Sequence, residues 1–456
     1  MRDLTDINTR SWTVATAPGR LPVLGHAVPL RRAPLEFLTS LSQHGDLVRL
    51  DLGRHPAYMV CHKDLVSQVL RDPRTFDWGG PFYEKTKLLM GNTLGNCPYR
   101  DHRRMRRLVQ PSFRLSRIAS YSKVMHDELA AEMDTWRPGG TVELNDTLHA
   151  VTARVGAKVL MSTDIAGDAV EQILSCLPIV MDGMYRRVVA PWAGLYRLPT
   201  PGNRRFEAAR TQLRDLVHGI IAEYRRAGVD HGDLMSGLLS AHDEESDTAL
   251  TDVEVHDMVM NFLAAATETT ATALCWALYE LDRNRECERR LHAEADRLAG
   301  TDDLSTLTYT RQVINETLRL YPPGWMMTRI VSEDTSLAGH PLPAGTILVY
   351  SSYALQRDPR MFPDADRFDP DRWLSDRAAE VPPGAMIPFG SGSRKCIGDN
   401  FAMMETVLSL TQIAARWSLR LVPGTKVRAE PRALVAMGPL PMVTHPRRAT
   451  TRQEAA

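Results

Sequence analysis

Between about residues 100 and 320, apolar positions recur three and four apart, the spacing of helices with one buried face. Thr251 followed by Glu254 forms a capping box. It predicts the start of an apolar helix running to about Leu281. Met258–Tyr279 carries one charge, Glu268. That length would span a bilayer, but Asn261, Thr267, Thr269, Thr270 and Thr272 surround the acid, so a buried core helix is predicted. Glu207–Arg226, Arg285–Leu298 and Thr308–Leu320 are further helices. Pro191, Pro199 and Pro201 forbid a continuous helix across Pro191–Gly202.

Strand patterns are short. Leu47–Leu52 and Ala57–Cys61 read as a hairpin with its turn at Gly53–Pro56. Pro18–Pro34 reads as an extended lead-in. Ile347–Tyr350 is a strand among Pro- and Gly-rich loops that reach Gly392. A last helix is predicted over Ile397–Trp417, then strand-like pieces to Pro441. Residues 1–17 and 448–456 read as flexible ends. No repeat or linker divides the chain, so the expectation is one large, mainly α domain over residues 1–456.

The 55 Lys and Arg balance 55 Asp and Glu. Bulk electrostatic binding of nucleic acid, which needs a basic surplus, is excluded. The N-terminal 17 residues lack an apolar signal core, so neither secretion nor a membrane anchor is expected, and the chain reads as cytoplasmic. The six cysteines are scattered, with no CxxC pair, which fits a reducing compartment.

One cysteine sits in an unusual segment, Phe389-Gly-Ser-Gly-Ser-Arg-Lys-Cys-Ile-Gly398. Gly390, Gly392 and Gly398 let the backbone turn tightly and approach something flat. Arg394, backbone N–H groups and the start of the next helix would lower the thiol pKa of Cys396 and favour metal ligation. No second Cys or His lies near enough for a zinc site. The six fixed positions of F-G-x-G-x-R-x-C-x-G arise by chance in such a chain with probability on the order of 10⁻⁵.

This segment resembles the haem-binding loop of the cytochrome P450 family, whose iron is held by a cysteine thiolate. The resemblance covers residues 20 to 440. It implies the P450 fold, a large helical domain with small β-sheets and haem b between two long helices. Cys396 would be the iron ligand, and Phe389, Gly398 and Ala265 would contact the haem. Glu316-Thr-Leu-Arg319 matches the family's E-x-x-R, joined by Arg372 of Phe368-Asp-Pro-Asp-Arg-Trp373, with the structural role of holding the cysteine loop. The same spacing at Glu207/Arg210, Glu223/Arg226, Glu280/Arg283, Glu286/Arg289 and Glu294/Arg297 reads as solvated helix pairs. His102 and Arg106, of an H-x-x-x-R match, with Arg329 and Arg394, would hold the two haem propionates. Ala264–Thr270 resembles the oxygen-binding segment, with Glu268 and Thr269 as a proton relay. Ala266 stands where the family usually has Gly, and its methyl would narrow the oxygen groove.

The implied reaction inserts one oxygen atom of O2 into an apolar small molecule. Electrons would come from a separate ferredoxin and ferredoxin reductase, docked on Arg103, Arg104, Arg107 and Lys395 of a monomer. By family position the substrate would meet Phe82, Leu88, Met90, Met181, Met184, Phe262, Trp325, Met326, Val435 and Met437. The stretch from Gly183 to Phe206 is similar to bacterial sesquiterpene oxidases of the family, which points to a terpene or terpenoid. A polyketide, a macrolide or a fatty acid met by Lys85 or Lys87 is the alternative. A haem-thiolate sensor, an isomerase or a peroxide-using enzyme would not need Glu268 and Thr269.

Overall fold

The computed structural model describes residues 11–52, 55–161, 169–189, 194, 196, 198–297 and 304–447. Its axis is the helix Asp252–Arg283, about 48 Å long at 1.5 Å per residue. The capping box starts it: Glu254 N donates to Thr251 Oγ1, and Thr251 N donates to the Glu254 carboxylate. Its apolar positions are buried almost all round, from Val255 to Leu281. Helices Leu144–Leu160, Thr308–Leu320 and Asp399–Arg416 pack against it. Thr152 Oγ1 ties the first of these to the long helix by donating to Thr267 O at 2.7 Å.

The sequence places most elements within a few residues. Thr308–Leu320 and Ile347–Tyr350 fall as expected, and the terminal helix is Asp399–Arg416. The amphipathic helix is longer than expected, Pro201–Ala227, because Pro201 occupies its first turn, where a missing N–H costs nothing. Leu47–Leu52 and His55–Val60 form the hairpin, whose turn residues 53 and 54 lie outside the described residues. The hairpin joins a six-stranded sheet whose other members are Val14–Thr16, Ile347–Tyr350, Met327–Val331 and Phe76–Asp77.

Three readings need correction. Residues 11–17 are not a loose end: Val14–Thr16 pairs in parallel with Leu47–Arg49, and Ala17 is buried. Residues 18–34 are not wholly extended, since Ala27–Arg32 is a short helix held by a buried His26, whose ring bonds Ala17 O and Asp51 N. Glu294 and Glu280 are not solvated. Glu294 accepts from the N–H groups of Tyr309 and Thr310, both at 2.8 Å, and so caps Thr308–Leu320 from a neighbouring helix. Glu280 accepts from Tyr321 Oη at 2.6 Å. Residues 448–456 lie outside the described residues.

Glu316 and Arg319 are both fully buried and pair at 2.8 Å. The guanidinium also donates to the carbonyls of Gln356, Ala365 and Arg367. The carboxylate also accepts from Asp369 N and Trp373 Nε1, each at 3.0 Å. Arg372 is close, 3.5 Å from Glu316, but its Nε makes no hydrogen bond there. The third bonding partner is therefore the indole of Trp373. Every charge of the pair is met by a donor or an acceptor, as a buried ion pair requires. Arg319→Ala leaves Glu316 buried with its main counter-charge gone. The expected loss is about 3–5 kcal/mol, measurable as a lower urea midpoint with an unchanged m-value.

Candidate active site

A cavity of about 530 Å³ lies between the cysteine loop and the long helix Asp252–Arg283. Cys396, Ile397, Gly398, Phe389 and Arg394 bound one side, and Phe262, Ala265, Ala266 and Thr269 the other. The loop is shaped by hydrogen bonds from Gly390 N to Ile387 O at 3.0 Å and from Cys396 N to Phe389 O at 2.9 Å. Gly392 has φ of +72°, and a Cβ there would lie 2.2 Å from Leu70 O, so only glycine fits. Gly398, at φ −92°, is in a conformation open to any residue. Its value is its N–H, which faces the thiol.

Cys396 has open surface, and that surface belongs to the cavity wall. Burial inside the protein pushes its thiol pKa up, against the lowering by the Gly398 N–H and by Arg106 and Lys395. The expectation of a depressed pKa is thus corrected: the lowering groups are present, and desolvation outweighs them. A cation meeting the sulfur would displace the proton.

Three guanidiniums reach this end of the cavity. Arg106 donates to Lys395 O at 2.6 Å, which fastens the helix Tyr99–Val109 to the cysteine loop. Arg394 donates to Cys97 O at 2.9 Å and pairs with Asp77 at 2.5 Å. Arg329 lies over the Trp78 ring, 3.5 Å from its centroid. His102 is buried beside them, and burial together with Arg394, Arg106 and Arg329 holds its pKa down at about 4. His102 is therefore a neutral imidazole here, not the cation expected. Arg394 Nε and Trp78 Nε1 are buried and have no hydrogen-bond partner among the described residues. Asp77 beside three arginines leaves a surplus of positive charge, which suits a group bearing carboxylates.

On the opposite wall, Thr269 Oγ1 donates back to Ala265 O at 2.7 Å, as its position predicts. The helix nevertheless runs unbroken from Asp252 to Arg283. The Ala266 methyl faces Gly156, where an added Cβ would approach it to 3.3 Å. Glycine in the neighbouring helix thus makes the room that alanine takes. Glu268 does not line the cavity. Burial raises its pKa, while Arg432 lowers it and Asp182 raises it.

Of the expected substrate contacts, Met90, Met181, Met184, Phe262 and Met326 line the cavity. Trp325, Val435 and Met437 do not, because each is committed to core packing. Trp325 Nε1 donates to Arg432 O, and Val435 O accepts from Trp276 Nε1. Ala433 and Leu434 stand at the wall instead. Phe82 and Leu88 lie on the helix Pro81–Met90, and their side chains are outside the described residues. Trp78, Tyr83, Phe113 and Asn261 were missed. Asn261 was findable, since it lies four residues before Ala265 and so shares its helix face.

The Gly183 to Phe206 stretch, described only in part, mainly packs two helices. A Cβ on Gly183 would strike the Phe206 ring, and Arg187 lies 3.5 Å over that ring. The basic docking face is largely spent internally. Arg104 pairs with Glu254 at 2.7 Å, Arg107 with Asp243 at 2.8 Å, and Lys395 with Asp399. Arg103 remains mostly exposed, 3.5 Å from Glu245.

The fold and this site define a haem-thiolate protein. The family model for cytochrome P450 matches residues 16–445. The chain is 49% identical to a cyclooctat-9-en-7-ol 5-monooxygenase of Streptomyces melanosporofaciens, over 96% of each chain. It is 47% identical to cyclooctatin synthase of the same organism and 40% identical to pentalenene oxygenase of Streptomyces avermitilis, each over 98% of this chain and 99% of the relative. The haem domain of cytochrome P450DA shares the fold, with a TM-score of 0.85 at 24% identity, covering 96% of this chain and 99% of that one. The chain belongs to the cytochrome P450 family and is a P450 monooxygenase. Among the described residues, no helix is long and apolar enough to cross a membrane.

Glu405, on the helix after Cys396, was not anticipated. It is buried against Thr270, its Oε2 lacks a partner among the described residues, and burial raises its pKa to about 8. The unfolded carboxyl titrates near 4.5. Between these values the folded state binds the extra proton, so Glu405 makes stability fall as pH rises through that window and has no further effect above it. Glu405→Gln should therefore raise Tm more near pH 8 than near pH 5, read by thermal melts of both proteins.

Proposed function

We propose that the chain works as one haem domain that oxidises an uncharged cyclic terpene or lightly oxidised terpenoid. The observation that carries this reading is the wall beyond the cysteine end. Its residues include Met90, Met181, Met184, Phe262 and Met326, and the charged side chains that line the cavity among the described residues are all cations near the cysteine loop. Lys85 and Lys87 do not line it, which disfavours a fatty-acid carboxylate. The names of three relatives, for oxidation of cyclooctat-9-en-7-ol, cyclooctatin formation and oxidation of pentalenene, agree with this choice. Thioether side chains adapt to irregular polycyclic shapes.

The residues present fit haem. Cys396 would hold the iron, Arg329 and Arg394 would meet the propionates, and Phe389, Gly398 and Ala265 would lie against the ring. Haem held by thiolate supplies the activation of O2 that lets one oxygen atom enter a C–H bond or a double bond. The chain's own part is position, dryness and protons. Thr269 Oγ1, now bonded to Ala265 O, frees its proton by rotating away from that carbonyl. Glu268, held toward its protonated form by burial, can refill it from behind the cavity wall. Electrons would come from a separate ferredoxin and its reductase, with Arg103 as the mostly exposed cation left to greet an acidic partner.

Two variants separate ligand from relay. Cys396→Ala should abolish the red-shifted Soret band of the reduced CO complex. Thr269→Ala should keep that band and lower product formed per NAD(P)H several-fold, with the electrons diverted to peroxide or water. Equal coupling in wild type and Thr269→Ala would remove the relay.

The substrate class is tested by spin-state titration with cyclic terpenes, fatty acids and macrolides. High-spin shifts are expected with terpenes alone. Tight shifts with a charged or macrolide ligand, and none with any terpene, would overturn the terpenoid reading.

A further inference from the structure

Asn261 lies on the face that the long helix turns to the cavity, with Phe262, Ala265 and Ala266 beside it and Thr269 and Thr270 further along. It stands four residues before Ala265 and eight before Thr269, so the three share one face. The neighbouring polar groups are already satisfied. Asn96 Oδ1 accepts from Thr93 N at 2.8 Å and from Thr93 Oγ1 at 3.1 Å, and its amide donates to Gly91 O at 3.0 Å. Thr269 is bonded to Ala265 O. Asn261 is not satisfied. Its Oδ1 has only a long, shared contact with Thr93 Oγ1 at 3.4 Å, and its Nδ2 has no hydrogen bond among the described residues. The residue is half-buried and lines the cavity.

A carboxamide placed on an apolar wall with one end free is costly unless something fills its bonds. Asn261 is among the residues that bound the cavity, within reach of what fills it. We propose that Asn261 hydrogen-bonds a hydroxyl of the substrate, so the molecule oxidised is a terpene alcohol and not a bare hydrocarbon. A hydroxyl both donates and accepts, so it satisfies the carboxamide whichever of its two heads turns to the cavity. The proposal rests on the terpenoid reading and narrows it. It also fixes a geometry: Asn261, which would hold the existing oxygen, lies about 12 Å along the helix axis from Thr269, eight residues away. The carbon presented beside Thr269 is then a remote one, chosen by distance from that oxygen. The reaction that supplies this substrate must leave one hydroxyl on the hydrocarbon skeleton.

The test compares a cyclic terpene hydrocarbon with monohydroxy derivatives of the same skeleton, using haem-loaded wild type and Asn261→Leu. Leucine is close in size and removes the polar group without opening a cavity. Asn261→Ala serves if the leucine variant fails to give the reduced CO spectrum. Affinity is read by spin-state titration and, independently, by calorimetry. Wild type should bind one of the alcohols about ten times more tightly than the hydrocarbon, the worth of one good hydrogen bond. In either variant that preference should fall to near unity, with hydrocarbon affinity kept or improved. An equal preference in wild type and variant, or a wild type that favours the hydrocarbon, overturns the role of Asn261 and leaves the terpenoid reading standing. No response to any terpene, with a response to a fatty acid or macrolide, overturns both.

Discussion

The pairing of Glu316 with Arg319 is the constraint on which the cysteine side of the molecule hangs. Neither charge touches water, so each must be met by the protein. Arg319 meets this need by gathering three backbone carbonyls from the segment 356–367, and Glu316 by gathering Asp369 N and Trp373 Nε1. Those bonds fold the irregular chain between the strand Ile347–Tyr350 and the cysteine loop, a stretch with little regular structure to hold itself. Gln356 carries the effect further, because its Oε1 accepts from Ile387 N at 2.9 Å, two residues before the loop begins. An ion pair far from the thiol in sequence thus sets where the thiol can be.

Much of this was readable from the chain, and for physical reasons. The long helix announced itself through its cap and through the apolar run Met258–Tyr279, both local features. The cysteine loop was readable because Gly392 has no substitute where its backbone presses on Leu70. What escaped was whatever depends on contact between distant segments. His102 looks like a cation in sequence, but burial, with Arg394 and Arg329 from distant segments and Arg106 of its own helix, holds its pKa down. Arg104 and Arg107 look like a free basic face and are paired with acids more than 130 residues away. Trp325, Val435 and Met437 had the right chemistry for a substrate wall, but their backbone and indole bonds turn them into the core.

The same distinction sorts the cavity. Its apolar lining could be guessed from composition, since Met and Phe recur in the right segments. Asn261 can be put on the cavity face from its spacing, but its unspent bonds depend on Thr93 and Asn96 using up each other's. Likewise the Ala266 methyl stands on the cavity wall with Gly156 of the facing helix opposite it. Each residue's role was decided by what its neighbours had left undone.

Glu254 holds two offices at once. Its carboxylate accepts from Thr251 at the head of the long helix and from both terminal nitrogens of Arg104. Arg104 in turn bonds Thr248 and Ala249, just ahead of that cap. The helix that carries His102 and Arg106 is therefore tied to the beginning of the helix that carries Asn261 and Thr269. The two walls of the cavity thus share a fastening at one end. Substitutions at Arg104 and Glu254 will not combine additively, because each removes a partner the other has already lost. A change at either position thus alters the anchoring of both cavity walls at once, and what it costs depends on the residue at the other.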